Sequence, residues 1–497
     1  MEILKYRRQF LFTPIECDEL KNWQIEKVLD HILYVHPDCQ LHKASEKNEL
    51  FLIGQLIDPH NPQKKTRDIL IDIAKQYDIA KYPDLLYSLV GRFVLIVKQD
   101  FDLIFFNDAC GLKTLYYFAC EGKVFAASQP LLLKKVINLQ KSKNYKEYFE
   151  SNYVKNNIEH WLPAGISLYQ NVFQLIPNHY FRVSENGQTR FYPTKELHKR
   201  KYKYLFNEFT SLLQKIITTA HCHMDLYFTL TAGWDSRIIL SCCKDMKEEI
   251  EFYTLKYRGY DSSHMDIKVP IKLSQYLKLK HQIIDCEKGI TEEFANLYKQ
   301  NTDVAHLYDW GTIAYGMSQA YPENKISVKG NCSEIGRCFY WSTTEHPAIV
   351  TVRDILELED GWSELFFVQK QIQIWFDNLI KYENKYDYEI FDLFYWEHRL
   401  GSWQAQSQLE WDIVQEAFCP FNSRELLDIM LAISPKYREK DNPTLYKDAI
   451  FHLWKDILAY PINPQGNSNP WRKVTVRILN SIGAKNLFKK LLNKNNK

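Results

Sequence analysis

Residues 225–240 read DLYFTLTAGWDSRIIL. A β-branched and aromatic run ends there in the small-residue turn Thr231-Ala232-Gly233-Trp234-Asp235-Ser236, and an apolar stretch of helical character follows. Such a strand–turn–helix leaves unpaired backbone N–H groups at a helix N-terminus, where a phosphate or pyrophosphate can sit. Gly233 lets the backbone approach a ligand closely. Asp235 is a candidate Mg²⁺ ligand beside the phosphates, and the hydroxyls of Thr231 and Ser236 are candidate donors to phosphate oxygens.

The sequence around this turn alternates strand with helix. Strand-like segments fall at 225–230, 251–256, 281–285 and 325–329, and stretches of helical pattern at 236–246, 265–278 and 290–301. This alternation predicts an α/β region: a doubly wound parallel sheet with helices on both faces and ligands at the carboxyl ends of its strands. A second turn, Gly330-Asn331-Cys332-Ser333-Glu334, lies just beyond the fourth strand, so both turns are candidates for one site. Residues 355 to about 460 read mainly helical and rich in Trp and Phe, as a bundle packed on the sheet.

Upstream the pattern changes. Phe51-Leu52-Ile53-Gly54 is a short apolar strand closed by Asp58-Pro59. Phe93–Val97 and Leu103–Phe106 flank a polar segment as a hairpin, and Leu115–Phe118 and Val124–Ala127 flank Glu121-Gly122 as a second. Residues 1–200 are therefore expected to form an α+β unit of stacked antiparallel sheets. Residues 201–465 carry the α/β part with its helical extension, and 466–497 form a basic tail whose expected state is a solvated helix.

The chain has 497 residues, too many for a single compact core. A net charge of +2 gives no reason to expect a nucleic-acid partner. The 11 cysteines are scattered without metal-ligand spacing, and no apolar run reaches the length of a membrane span. A reduced, cytoplasmic setting is the expectation.

The turn at Thr231–Ser236 resembles the Ser-Gly-Gly-x-Asp-Ser signature of the ATP pyrophosphatases, and its companions resemble the asparagine synthetase-like branch. Gly91-Arg92-Phe93, Asp108, Gly111, Leu115-Tyr116-Tyr117 and Ala126-Ala127-Ser128 are similar to the second half of a class II glutamine amidotransferase domain of Ntn type. Asp266, a helix length before Leu277 and His281, is similar to the helix after the family's second strand. Gly330 to Tyr340 resembles the second pyrophosphate loop. Pro420-Phe421-Asn422-Ser423 and Leu445-Tyr446-Lys447-Asp448-Ala449 resemble two C-terminal elements of the family. The resemblance spans roughly residues 50–465. It implies an adenine nucleotide alpha hydrolase-like fold and ATP-dependent amide-bond formation through an acyl-adenylate.

Departures from the family narrow that implication. The family's nucleophile is an N-terminal cysteine exposed after Met1 is removed, whereas here Glu2 is second and Cys17 is the first cysteine. The amidotransferase half is therefore expected to lack glutaminase activity, leaving ammonia or an amine as the nucleophile. Ala232 replaces the first glycine of the signature, Cys332 the second glycine of the other loop, and Arg337 stands where small residues are usual. By resemblance, Thr231, Ala232, Gly233, Asp235, Ser236, Leu255, Gly330 and Arg337 would bind ATP, and Asp235 and Glu334 would bind Mg²⁺. Glu334, Lys447 and Lys473 would be catalytic, with Lys436 and Lys440 as rivals to Lys447. Asp108, Gly111 and His281 read as structural. The expected partners are a small-molecule, peptide or sugar carboxylate and an amine donor, and a homodimer is one of the assemblies left open. Two alternatives stand beside this reading: a non-catalytic nucleotide-binding scaffold, and a glutamine-dependent asparagine synthetase.

Overall fold

Twelve strands build the N-terminal region of the computed structural model, which describes residues 2–120 and 122–464. The basic tail at 466–497, with Lys473, lies outside these residues. The strands are β1 (Phe10–Thr13), β2 (Gln24–Val28), β3 (His31–Val35), β4 (Leu41–Ser45), β5 (Glu49–Ile57) and β6 (Val90–Gln99). They continue as β7 (Asp102–Asn107), β8 (Tyr116–Cys120), β9 (Lys123–Ala127), β10 (Phe173–Gln174), β11 (His179–Arg182) and β12 (Gly187–Arg190). They form two six-stranded sheets, β10-β8-β9-β1-β3-β2 and β12-β11-β7-β6-β5-β4, antiparallel throughout.

Both hairpins expected from the sequence are present, β6–β7 and β8–β9. The β6–β7 turn is tighter than the polar segment suggested. It turns on Asp100-Phe101 with Asp100 at φ 52°, a left-handed residue of the kind two-residue hairpins use. Phe10, Phe12, Leu33 and Val35 of one sheet pack against Phe51, Val94, Ile96 and Phe105 of the other. The outward face of the second sheet is covered too: Leu50, Leu52, Leu95 and Val97 pack with Ile69, Leu70 and Ile73 of the helix Thr66–Ala74. Burial on both faces accounts for the unbroken apolar run Phe93–Val97.

The helix Tyr202–His223 leads into a parallel sheet of β13 (Leu226–Thr229), β14 (Glu251–Lys256), β15 (His281–Asp285), β16 (Ile326–Val328) and β17 (Glu416–Phe418). The order is β15-β14-β13-β16-β17, with every pair parallel. The first four match the expected strands. The stretch 355–460 is mainly helical as expected, and the fifth strand is an addition within it that the sequence did not show. Glu416-Ala417-Phe418 is too short to show a period of two, and it is a strand because Ile326–Val328 supplies its pairing register. Successive strands run outward from β13 to β15, then the chain crosses back to β16 and β17. The strand order therefore reverses between β13 and β16, and the crevice there is where ligands of such sheets bind.

Buried polar contacts join the two regions. The Arg92 guanidinium makes a bidentate pair with Asp412 at 2.5 and 2.7 Å, with both side chains nearly inaccessible. Arg190 meets Glu397 at 2.5 and 2.6 Å in the same way. Asp108 is buried and accepts N–H bonds from Phe93, Cys110, Leu112 and Lys113, while Asn422 donates to it at 2.9 Å. Asp108 and Gly111, at φ 64°, thus shape a turn onto which Pro420–Ser423 docks. No helix among the described residues is long and apolar enough to cross a membrane.

Candidate functional site

The turns after β13 and β16 meet in the crevice between those strands. A Cβ on Gly330 would lie 2.6 Å from the Asp235 Cβ, so only glycine lets the second loop press against the first. Cys332 holds the left-handed conformation at φ 73°, which a cysteine adopts only under strain. Ser333–Arg337 then form a 3-10 turn, and Tyr446 fixes it by donating its hydroxyl to the Ser333 carbonyl at 2.7 Å.

The first loop is closed by its own polar groups. Ser236 Oγ accepts the Thr231 N–H at 3.0 Å and lies 2.9 Å from Thr231 Oγ1, which in turn accepts the Gly233 N–H at 3.2 Å. Asp266 accepts the Ala232 N–H at 3.2 Å, and the Asn463 N–H donates to the Ala232 carbonyl at 2.9 Å. The hydroxyls of Thr231 and Ser236, read above as phosphate donors, are therefore engaged in closing the turn. The donors that remain for an anion are the first-turn N–H groups of the helix Trp234–Ser241, which lack intrahelical partners. Gly233 sits at φ −79°, open to any residue, and a Cβ there would make only ordinary contacts at 3.4 Å with Asn463 and Thr231.

Charge is concentrated on three side chains. Asp235 accepts a hydrogen bond from Ser333 Oγ, and Arg337 Nη2 lies 3.1 Å from each of its carboxylate oxygens. Arg337 Nη2 also lies 4.0 Å from Glu334. Burial works against the Arg337 charge, but Asp235 and Glu334 more than offset it and raise its pKa. Burial, with the Asp235 charge beside it, pushes the Glu334 carboxyl up to about 7. Two buried atoms here have no hydrogen-bond partner among the described residues, Glu334 Oε2 and Arg337 Nε. An unpaired buried donor or acceptor costs about 1–3 kcal/mol, so a ligand group that bonded either atom would recover that cost.

These contacts bear on Mg²⁺. Magnesium holds few protein ligands, in near-octahedral geometry, and dehydrates reluctantly. Asp235 is already engaged at both oxygens, and a guanidinium lies between it and Glu334. Among the described residues no group of three or more His, Cys, Asp or Glu side chains is arranged to hold a metal. A cation shared by Asp235 and Glu334, as the resemblance implied, does not fit beside Arg337.

Asp235, Glu334, Gly330, Arg337 and the turn at Thr231–Ser236 are brought together. Leu255 lies in the C-terminal half of β14, half-buried and paired with Ile284. Lys447 does not join the site: it is exposed on the helix Thr444–Trp454. Its rival Lys440 reaches back, with Nζ 3.7 Å from the centre of the Phe339 ring, and burial lowers its pKa. Asp266 reaches the first loop, whereas His281 is a packed residue held neutral, its pKa lowered to about 4 by burial. Two further groups carried no readable signal. Tyr395 and Arg399 stand on a π-helical stretch, Tyr395–Gln404, with Arg399 stacked 4.1 Å over Trp403 and its Nε buried without a partner. Both face Glu334 electrostatically.

The raised Glu334 pKa has a measurable consequence. Between about pH 4.5, the ordinary value, and about 7, the folded chain keeps a proton that the unfolded chain has lost, so this group subtracts stability as pH rises through that window. Glu334→Gln, neutral throughout, is expected to raise stability at pH 8 by on the order of 1–3 kcal/mol and to change little at pH 4. Melting temperatures of the two proteins at both pH values check this.

No family model matches the sequence, and no curated protein matches it. Among solved structures, the chain is similar to the glutamine phosphoribosylpyrophosphate amidotransferase from B. subtilis complexed with ADP and GMP. The identity is 10%, over 57% of this chain and 61% of that one, with a TM-score of 0.23. The structure described as that of the allosteric regulatory enzyme of purine biosynthesis matches at 10% identity, over 61% of this chain and 75% of that one, with a TM-score of 0.24. The chain thus spans 61% of the length of the first of these enzymes. Overlaps this loose assign neither fold nor activity.

Proposed function

We propose that this chain is an ATP-dependent carbon–nitrogen ligase, which activates a carboxylate as an acyl-adenylate and passes the acyl group to ammonia or an amine. The observation that carries this reading is the meeting of the Thr231–Ser236 and Gly330–Arg337 loops at the point where the parallel sheet reverses its strand order. The helix N-terminus at Trp234 supplies donors for phosphate oxygens, and Arg337 supplies a fixed positive charge beside them.

In the first step a carboxylate oxygen attacks the α-phosphorus. The bond to the bridging oxygen breaks, and its electron pair leaves with pyrophosphate. Negative charge accumulates where the helix N–H groups and Arg337 are already oriented, so little reorganisation is needed. In the second step the amine lone pair attacks the acyl carbon, AMP departs, and the nitrogen must lose a proton. Glu334, with its carboxyl near 7 and one oxygen unpartnered, is suited to take it. No step is assigned to a metal at Asp235.

Ammonia or an amine is the nitrogen source in this reading. Cys17 is buried, and burial raises its thiol pKa, the reverse of what a nucleophilic cysteine needs. The test is ATP–pyrophosphate exchange with a panel of amino-acid, peptide and sugar carboxylates. Exchange that depends on one class of carboxylate is the expected result. Nucleotide binding with no exchange for any carboxylate would instead support a non-catalytic scaffold, a reading favoured by the closed hydrogen bonding of the first loop.

A further inference from the structure

Arg337 is nine-tenths buried, its side chain 9% exposed, and it is fixed on three sides. Asp235 holds Nη2 from both carboxylate oxygens at 3.1 Å, and Glu334 lies 4.0 Å away. The Tyr446 ring lies 5.9 Å from the guanidinium carbon, while the same tyrosine's hydroxyl pins the backbone of the loop at Ser333. Gly330 leaves the two loops no slack, since a single added carbon would press on Asp235. A guanidinium so held does not swing away as a surface arginine does. One of its donors, Nε, is buried and has no acceptor among the described residues.

We infer that Arg337 takes the place a divalent cation would otherwise hold at Asp235, and that its unspent N–H groups receive the pyrophosphate oxygens. This inference rests on the proposed ligase reading, and it names what neutralises the leaving group at that site. Three observations carry it. The only carboxylate of the first loop is already paired with a guanidinium. The second acid, Glu334, is separated from it by the same group. The guanidinium carries a buried donor, Nε, that has no partner among the described residues. Guanidinium stays charged at every physiological pH and presents its N–H groups in a planar fork that matches two oxygens of a phosphate. It is weakly hydrated, whereas Mg²⁺ gives up its waters reluctantly. Asp235 is then a positioning residue, since it orients Arg337 and touches no phosphate itself.

The experiment uses the whole chain and two probes, inorganic pyrophosphate and ATP, titrated by calorimetry in EDTA and again in Mg²⁺. The wild-type chain is expected to bind pyrophosphate in EDTA within about threefold of its affinity in Mg²⁺. Arg337→Gln is expected to lose at least tenfold in EDTA and to regain much of that in Mg²⁺, because Asp235 is freed to hold a cation. Arg337→Lys is expected to fall between the two. Melting curves confirm that each variant is folded, and the wild-type comparison needs no variant at all. If wild-type pyrophosphate binding collapses more than tenfold in EDTA, or Arg337→Gln binds as tightly as wild type there, the inference is overturned while the ligase reading stands. If the wild-type chain binds neither probe under either condition, the ligase reading itself fails.

Discussion

Asp235→Ala is expected to lower carboxylate-dependent ATP–pyrophosphate exchange by roughly 10²–10³-fold, because it releases Arg337, and losing one pre-oriented electrostatic partner of a transition state costs that much. It is also expected to destabilise the chain. Removing the carboxylate leaves the Arg337 guanidinium buried, with Glu334 at 4.0 Å as its remaining counter-charge. A stranded partner of a fully buried pair costs about 3–5 kcal/mol. Asp235 is 27% exposed, and the residual contact with Glu334 helps, so a loss of about 1–3 kcal/mol is expected here. The two effects separate in the double variant Asp235→Ala/Arg337→Met. Stability should partly return, because the stranded guanidinium is gone and Glu334, left without its counter-charge, stays protonated, and exchange should stay lost. Exchange that survives in the single variant would remove Asp235 from the chemistry. Denaturant midpoints and exchange rates on the three proteins read both quantities.

The second large effect lies away from the site. Arg92 and Asp412 form a two-armed pair between the antiparallel and parallel parts of the chain, with side chains 4% and 2% exposed. Asp412 also accepts an Arg8 donor through its backbone carbonyl at 2.6 Å. Asp412→Ala is therefore expected to cost about 3–5 kcal/mol, and Arg92→Met with Asp412→Leu to recover most of it. The loss should be accompanied by faster proteolysis around residues 193–201, where the two parts join. If Asp412→Ala changes the urea midpoint by no more than a surface substitution does, the pair is not a principal tie between the two sheets.

Much of the architecture was legible because it depends on local pattern. Segments 251–256 and 281–285 are strands at those limits, since each apolar run and its flanking turns are set within a few residues. The antiparallel hairpins follow for the same reason. What escaped depends on contacts distant in sequence. Glu416–Phe418 becomes a strand only because β16 lies beside it. Lys447 was expected at the site by resemblance alone, but the helix Thr444–Trp454 turns it outward and the preceding loop sends Lys440 back over Phe339. Thr231 and Ser236 have the residue types of phosphate donors, yet their hydroxyls sit close enough to bond one another and the turn. Arg337 and Asp235 are separated by about a hundred residues. That they form a pair follows only from the close approach of the two loops at Gly330.

The proposed chemistry predicts its own products. ATP should be incubated with the purified chain, ammonium and the carboxylate panel, and the nucleotides identified by phosphorus NMR. Formation of AMP and pyrophosphate in equal amounts is what adenylation at the Thr231–Ser236 crevice predicts. Formation of ADP and phosphate, or recovery of unchanged ATP with every carboxylate, would contradict it.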